Sequence, residues 1–459
     1  MPSRFDALVI GTGQAGPSLA ARLASTGKKV AIAERKRFGG TCVNVGCVPT
    51  KTLVASARAA HMARRGSDFG VTVSGSITVD MKKVKARKDA IVQPSTQGIE
   101  KWLKSTKNLT VYEGHARFEE PGRVRVGEEV LEAENIFINV GARAGAPPVP
   151  GLDSVPYLTN TGMMEVDFLP EHLIILGGSY VGLEFGQMYR RFGSEVTVIE
   201  RDPRLIARED EDVSGAIREI LETEGIQVLT SAAGLCMEGR AGKITARLTC
   251  EGKPREVTGS HLLVATGRVP NTGDLGLDKA GIRVDARGHI EVDDELRTSA
   301  PGVWALGDCN GKGAFTHTSW NDYEIVAANL LDGGRRRVSD RIPCYGLFVD
   351  PPLGRAGMTE RQVRESCRKA LIAKKPMTHI GRARERGETQ GFMKILVDAE
   401  SSHILGAAIL GIGGDEIVHS LLDIMYAKAP YTVIQRAVHI HPTVTELIPT
   451  ALGELKPLE

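Results

Sequence analysis

Apolar runs and helical stripes alternate from the first residues. Phe5–Ile10 is a continuous apolar run bounded by turn residues, which predicts a buried strand. Ser18–Ser25 follows with helical spacing, and Val30–Ala33 is a second apolar run closed by Glu34. The same order returns in mid-chain: a strand at His172–Leu176, a helix at Leu183–Phe192, and a strand at Glu195–Ile199 closed by Glu200. Strands that are apolar on both faces, joined by helices, predict parallel sheets covered on both sides, an α/β architecture. Helix is expected over about 50–105, short strands over 108–140, and strands with turns over 240–267. Gly302–Asp308 predicts a strand ending in an acid. From 341 the texture changes, with helices expected at Arg361–Lys369 and Gly414–Ala427 between strands.

These shifts divide the 459 residues into segments 1–150, 151–268, 269–340 and 341–459, with Gly145–Gly151 as a domain crossing. At about 150 residues per domain, roughly three domains are expected. The charge is nearly balanced at +2, which excludes a strongly basic nucleic-acid binder. The basic clusters Arg335–Arg337 and Lys374–Lys375 are expected to be solvated turns. No apolar run reaches the roughly 18 residues of a membrane span. The N-terminus enters a strand within a few residues, so no signal peptide is expected. Seven cysteines in a chain this long do not make a secreted disulfide scaffold. A reducing, cytoplasmic setting is expected.

The turns carry the chemistry. Gly11, Gly13 and Gly16 form G-x-G-x-x-G between strand and helix. The first permits the turn, the second lets backbone approach a pyrophosphate, and the third lets helix pack on strand. Glu34 stands where a carboxylate accepts from ribose hydroxyls. The mid-chain turn, Gly177-Gly-Ser-Tyr-Val-Gly182, has Ser179 at the middle glycine position. Glu200 at the end of its second strand accepts from a 2′-hydroxyl and repels a 2′-phosphate, favouring NADH over NADPH; Arg201 and Arg204 keep NADPH open.

Cys42 and Cys47 are separated by four residues in Gly39-Gly-Thr-Cys-Val-Asn-Val-Gly-Cys-Val-Pro-Thr-Lys51. They could close a small disulfide ring, clip a metal, or be inert thiols. A metal clip would want a second Cys/His pair at ligand spacing, and none is evident. A thiol at the start of the helix expected after Cys47 would have its thiolate stabilised. Cys236, Cys250, Cys309, Cys344 and Cys367 are expected to be small buried thiols.

The cysteine segment resembles the redox-active disulfide of the class I pyridine nucleotide-disulfide oxidoreductases, which include dihydrolipoamide dehydrogenase, glutathione reductase and mercuric reductase. The resemblance covers nearly the whole chain. It implies two Rossmann-like domains, for FAD and NAD(P), and a C-terminal α+β dimerisation domain. It implies electron flow from NAD(P)H through FAD to the Cys42–Cys47 disulfide and on to a small-molecule or protein disulfide. Cys47 would lie against the flavin and Cys42 would be the interchange thiol. Asp308 is similar to the acid that holds the flavin's ribityl chain, and His317 lies in a segment that lines it. Lys51 resembles the lysine near flavin N5, and Glu184 its carboxylate partner. Tyr180 resembles the gate over the nicotinamide pocket. Further cofactor contacts are implied at Gly40, Thr41, Gly141, Gly267 and Arg268. His441, preceding Pro442-Thr, and Glu446 resemble the dyad that a partner subunit places against the disulfide, so a homodimer is implied; no nucleic acid, membrane or metal site is.

Other acceptors compete. The cysteine segment looks particularly like mercuric reductase, but the chain ends GELKPLE without a cysteine pair, lacks an N-terminal metal-binding C-x-x-C domain, and carries a His-Pro-Thr segment that those enzymes typically lack. Dihydrolipoamide dehydrogenase activity is a further candidate. A non-enzymatic redox sensor is disfavoured by the dyad and by the two nucleotide units.

Overall fold

The structure is a computed structural model that describes residues 2–459. The chain divides into two units. The first comprises Met1–Thr52, Lys82–Ala146 and Gly267–Arg341; the second comprises Leu53–Met81, Pro147–Thr266 and Ile342–Glu459.

The first unit is built on a sheet whose parallel strands run in the order Leu109–Glu113, Val30–Glu34, Ser3–Ile10, Glu129–Ile138 and Val303–Ala305. An antiparallel pair, Ala116–Glu120 and Arg123–Val126, extends it beside Glu129–Glu132. Leu8, Val9, Ile136 and Phe137 are fully or almost fully buried, as continuous apolar runs require. The helix Gly16–Ser25 buries Leu19, Ala20 and Leu23 against one face, together with Ile325 and Val326 of the helix Thr316–Leu331.

The second unit repeats the parallel scheme, with Gln227–Leu229, Glu195–Ile199, His172–Leu176 and His261–Val264 side by side. The helix Tyr180–Phe192 starts one turn earlier than its apolar stripe suggests. A three-stranded antiparallel sheet, Ala233–Gly259, follows. The C-terminal part is a six-stranded antiparallel sheet on which the helix Gly414–Tyr426 packs Ile417, Val418 and Leu421.

Several expectations change. The helical stretch is two helices, Cys47–Arg64 and Met81–Ser105; Gly70 and Gly75 take positive φ between them. The helix at Glu360–Glu365 is shorter than the stripe, because Cys367 adopts φ +54° just beyond it. Lys374–Lys375 is not a solvated turn. It lies in the strand Ala370–Pro376, where Lys374 pairs with Asp212 at 2.7 Å and buried Lys375 reaches Glu454 at 2.7 Å. Lys374 stays exposed beside its carboxylate, as the sequence suggests, and only Lys375 is covered by the sheet. Of the cysteines expected to be buried, Cys250 and Cys309 are, whereas Cys236 and Cys344 are half-buried and Cys367 is exposed in its left-handed turn. Arg335–Arg337 is exposed, as expected. No helix among the described residues is long and apolar enough to cross a membrane.

Candidate active site

The first glycine turn is held from below and from the side. A Cβ on Gly16 would lie 2.2 Å from the Gly11 carbonyl oxygen, so helix and turn approach as only glycine allows. Beneath it, Asn139 keeps a buried Nδ2 that has no hydrogen-bond partner among the described residues. The helix Gly16–Ser25 has no side-chain cap and no acid in its first turn. Its leading N–H groups are therefore left for an anion. Glu34 accepts from the Thr12 amide at 3.0 Å and the Thr12 hydroxyl at 2.6 Å, and the Gly39 amide donates to that same hydroxyl at 3.3 Å. A Cβ on Gly40 would come within 2.9 Å of Gly13 Cα. The cysteine segment is thus packed directly on the dinucleotide turn.

Cys42 lies in the short helix Gly40–Asn44, and Cys47 opens the helix Cys47–Arg64. Asn44 knits the loop: its Nδ2 donates to Phe38 O at 2.8 Å and to Gly40 O at 2.9 Å, and its Oδ1 accepts from Thr96. Cys42 is half-buried and Cys47 exposed. The Thr316 hydroxyl sits 3.1 Å from Cys42 Sγ and 3.1 Å from Cys47 Sγ. A hydrogen bond to Cys47, with burial and the charge of Cys47 behind it, pushes the Cys42 thiol far up; Thr316 pulls it the other way. Two thiols this close share one negative charge rather than carry two. Lys51 follows Cys47 by one helical turn, on the same face.

Asp308 sits in the turn Gly307–Asn310 after the strand Val303–Ala305. Burial raises its pKa, and Arg268, 3.3 Å away, works against that shift. The turn is fixed by Asp322, whose Oδ2 accepts from the Gly307 amide at 2.8 Å and from Asn310 at 3.1 Å. Gly141 and Gly267 flank the paired strands Ala142–Ala144 and Arg268–Pro270. His317 stacks on Phe315, with ring centroids 5.3 Å apart. Thr41 precedes Cys42 in its helix and accepts from the Val45 amide. The uncapped helix start, the glycine cradle and the half-buried acid fit an adenine dinucleotide such as FAD.

In the second unit the turn has the same shape. A Cβ on Gly182 would lie 2.0 Å from the Gly177 carbonyl oxygen, and Glu200 accepts from the Gly178 amide at 2.6 Å. Tyr180 begins the helix, with its ring edge-on to Tyr345 at 5.5 Å and under the Arg208 guanidinium at 5.3 Å. Burial pushes its phenol up to about 12. Glu184, one turn on, is buried and accepts from the Phe348 amide at 3.0 Å. His441 Nδ1 is 3.0 Å from both carboxylate oxygens of Glu446. With Nδ1–H donated to the carboxylate, Nε2 is left to accept a proton; the His441 side chain is 81% exposed. His439 instead faces the Ala437 carbonyl.

Thr316, Asn44 and Asp322 are the residues that sequence reasoning missed. The only signal was for Thr316, which adjoins His317 in the segment already expected to line the flavin. No group of three or more His, Cys, Asp or Glu among the described residues could hold a metal ion.

Comparison with known proteins agrees with this geometry. The family model described as pyridine nucleotide-disulphide oxidoreductase matches residues 5–322, and its dimerisation domain matches residues 344–452, which supports a homodimer. The chain is 36% identical to the probable pyridine nucleotide-disulfide oxidoreductase RclA of Escherichia coli, over 97% of this chain and 98% of that one. It is 33% identical to a dihydrolipoyl dehydrogenase of Thermus scotoductus, over 96% and 95% of the two chains. Among solved structures, the Cu(II) complex of the HOCl-induced flavoprotein disulfide reductase RclA from Escherichia coli matches with a TM-score of 0.88 at 34% identity, covering 97% of this chain and 99% of that one. The chain therefore belongs to the pyridine nucleotide-disulphide oxidoreductase family and is an FAD-dependent, NAD(P)H-linked disulfide oxidoreductase.

Proposed function

We propose that Cys42 and Cys47 are the reacting pair, with FAD held by residues of segments 1–150 and 269–340 and the pyridine nucleotide by residues of 151–268. Gly11, Gly13, Gly16 and the start of their helix would hold the pyrophosphate, Glu34 a ribose and Asp308 the ribityl chain. When bound, FAD supplies the two-electron link between NAD(P)H and sulfur. Cys42, as thiolate, attacks one sulfur of the acceptor disulfide; that S–S bond breaks and a mixed disulfide forms. His441, supplied by the second subunit of the homodimer and oriented by Glu446, takes the Cys42 proton at Nε2 and passes it to the leaving thiolate. Cys47, as thiolate, then attacks Cys42 Sγ; the mixed disulfide breaks, the second substrate sulfur leaves as a thiolate that takes a proton from solvent, and the Cys42–Cys47 disulfide closes. Two electrons leave the dithiol and two thiols are made.

The observation that carries this reading is that both sulfurs lie 3.1 Å from one hydroxyl, in a segment packed on the dinucleotide turn. Val438 and Ile440, apolar and 101% and 80% exposed, flank His441 as an interface segment would. Cys42→Ser should lower NADH-dependent disulfide turnover by about three orders of magnitude, while NADH still bleaches bound FAD. Full disulfide turnover in that variant would refute the assignment.

Cupric ion is a second acceptor class to test, because the similar RclA is known as a Cu(II) complex and a thiol pair is a soft ligand set. Two cupric ions would each take one electron as the dithiol closes to a disulfide. NADH oxidation with a disulfide panel, Cu(II) and Hg(II) separates the acceptors.

A further inference from the structure

Asn139 follows the strand Glu129–Ile138 and is 5% exposed. Its carboxamide lies between two loops. Nδ2 is 3.2 Å from where a Cβ on Gly13 would stand and 2.9 Å from where one on Gly16 would. Oδ1 is 3.2 Å from the corresponding point on Gly307, which precedes Asp308. Nδ2 is buried and donates to no group among the described residues. A buried donor without an acceptor costs free energy, so it is rare in a native protein unless a ligand or ion completes it. The turn Gly11–Gly16 carries no cationic side chain. An anion there depends on neutral N–H donors, and a carboxamide adds two that its last bond can turn to either side.

The second turn shows that the backbone does not need this amide. Ala265 holds the equivalent place. Its N–H donates to the Leu176 carbonyl at 2.8 Å, as that of Asn139 does to the Ile10 carbonyl at 2.8 Å. Its carbonyl oxygen would lie 2.5 Å from a Cβ on Gly177, as that of Asn139 would lie 2.4 Å from one on Gly11. One copy is built with a methyl group and the other with a carboxamide, so the amide is not what forms the turn.

We propose that Asn139 is an FAD-binding residue whose Nδ2 donates a hydrogen bond to an oxygen of the pyrophosphate. The charge on that oxygen strengthens the bond, and the bond gives the orphaned donor its acceptor. The donor is present beneath the turn assigned to FAD and absent at the same place beneath the turn assigned to the pyridine nucleotide. The proposal rests on the reading that the Gly11–Gly16 turn holds the pyrophosphate.

The test is a crystal structure of the FAD-loaded holoenzyme together with flavin release from FAD-loaded Asn139→Ala. In the crystal, Nδ2 should lie within about 3.2 Å of a pyrophosphate oxygen. Asn139→Ala copies Ala265 and should hold FAD about tenfold to a hundredfold more weakly, the value of one hydrogen bond to a charged group. Flavin fluorescence on dilution reads this loss, and NADH affinity at saturating FAD should match the parent's. A pyrophosphate on the turn with the amide more than about 4 Å away is beyond a hydrogen bond and overturns the proposal while leaving the reading of the turn in place. Parental flavin release in Asn139→Ala, or an equal loss of NADH affinity, does the same. A pyrophosphate bound away from the turn overturns both.

Discussion

The molecule contains the same turn twice, and the two copies differ in what is fastened to them. Gly11–Gly16 and Gly177–Gly182 both start with a glycine at positive φ, +103° and +111°, and both let their helix close to about van der Waals contact with the turn carbonyl. The carboxylate that ends the second strand accepts from the amide of the second turn residue in each. In the first turn that residue is Thr12, whose hydroxyl ties Glu34 to the cysteine segment through Gly39. In the second it is Gly178, which has no side chain to tie anything. Where the first turn has Gly13 with Gly40 against it and Asn139 beneath, the second has Ser179 and Ala265. The first turn is therefore built into the cysteine segment, while the second offers only its backbone and Glu200. That suits one nucleotide that stays and one that exchanges.

The largest expected effect comes from filling either turn. Gly16→Ala should yield protein with little bound flavin, whereas Gly182→Ala should keep its flavin and lose pyridine nucleotide affinity by tenfold or more, since overpacking typically costs about 1–3 kcal/mol. Visible absorbance and NADH titration read the two losses separately. If Gly182→Ala loses flavin too, the turns are not independent. A smaller effect is expected at the tie: Thr12→Val should weaken FAD retention by about fivefold to tenfold, from the loss of a part-buried hydrogen bond to a carboxylate, and should leave the NADH affinity unchanged. Flavin release on dilution, followed by fluorescence, checks this. The smallest change is expected at Glu200. Glu200→Gln removes the charge that repels a 2′-phosphate and should raise the NADPH-to-NADH preference by about threefold to tenfold, as expected for one like-charge contact; kcat/KM with each nucleotide measures it.

Legibility follows the range of the interaction. Both turns, with Glu34 and Glu200 at their strand ends, are readable because short local runs dictate their backbone, whereas the spacing of Cys42 and Cys47 leaves several readings open and only the family resemblance chooses among them. The strand at His172–Leu176 matches its expected ends, for its apolar pattern is local. Thr316 was not readable, since a threonine at a helix start has many ordinary uses and only folding brings it to the sulfurs. Lys375 failed for the same reason in reverse: its acidic partner is Glu454, which no local window contains. Arg268 is expected as a cofactor contact, but its ion pair with Asp308 at 3.3 Å depends on the pairing of the strand Arg268–Pro270 with Ala142–Ala144.

The sequence by itself determined the two glycine turns and their strand-end acids, because each is specified by neighbours along the chain, and a family resemblance supplied the chemistry expected of the cysteine pair. The tertiary structure decided which distant groups meet those residues. The hydroxyl between the sulfurs and the tie from Glu34 through Thr12 to Gly39 arise where distant segments meet, and a hydrogen bond acts over about 3 Å of space whatever the distance along the chain.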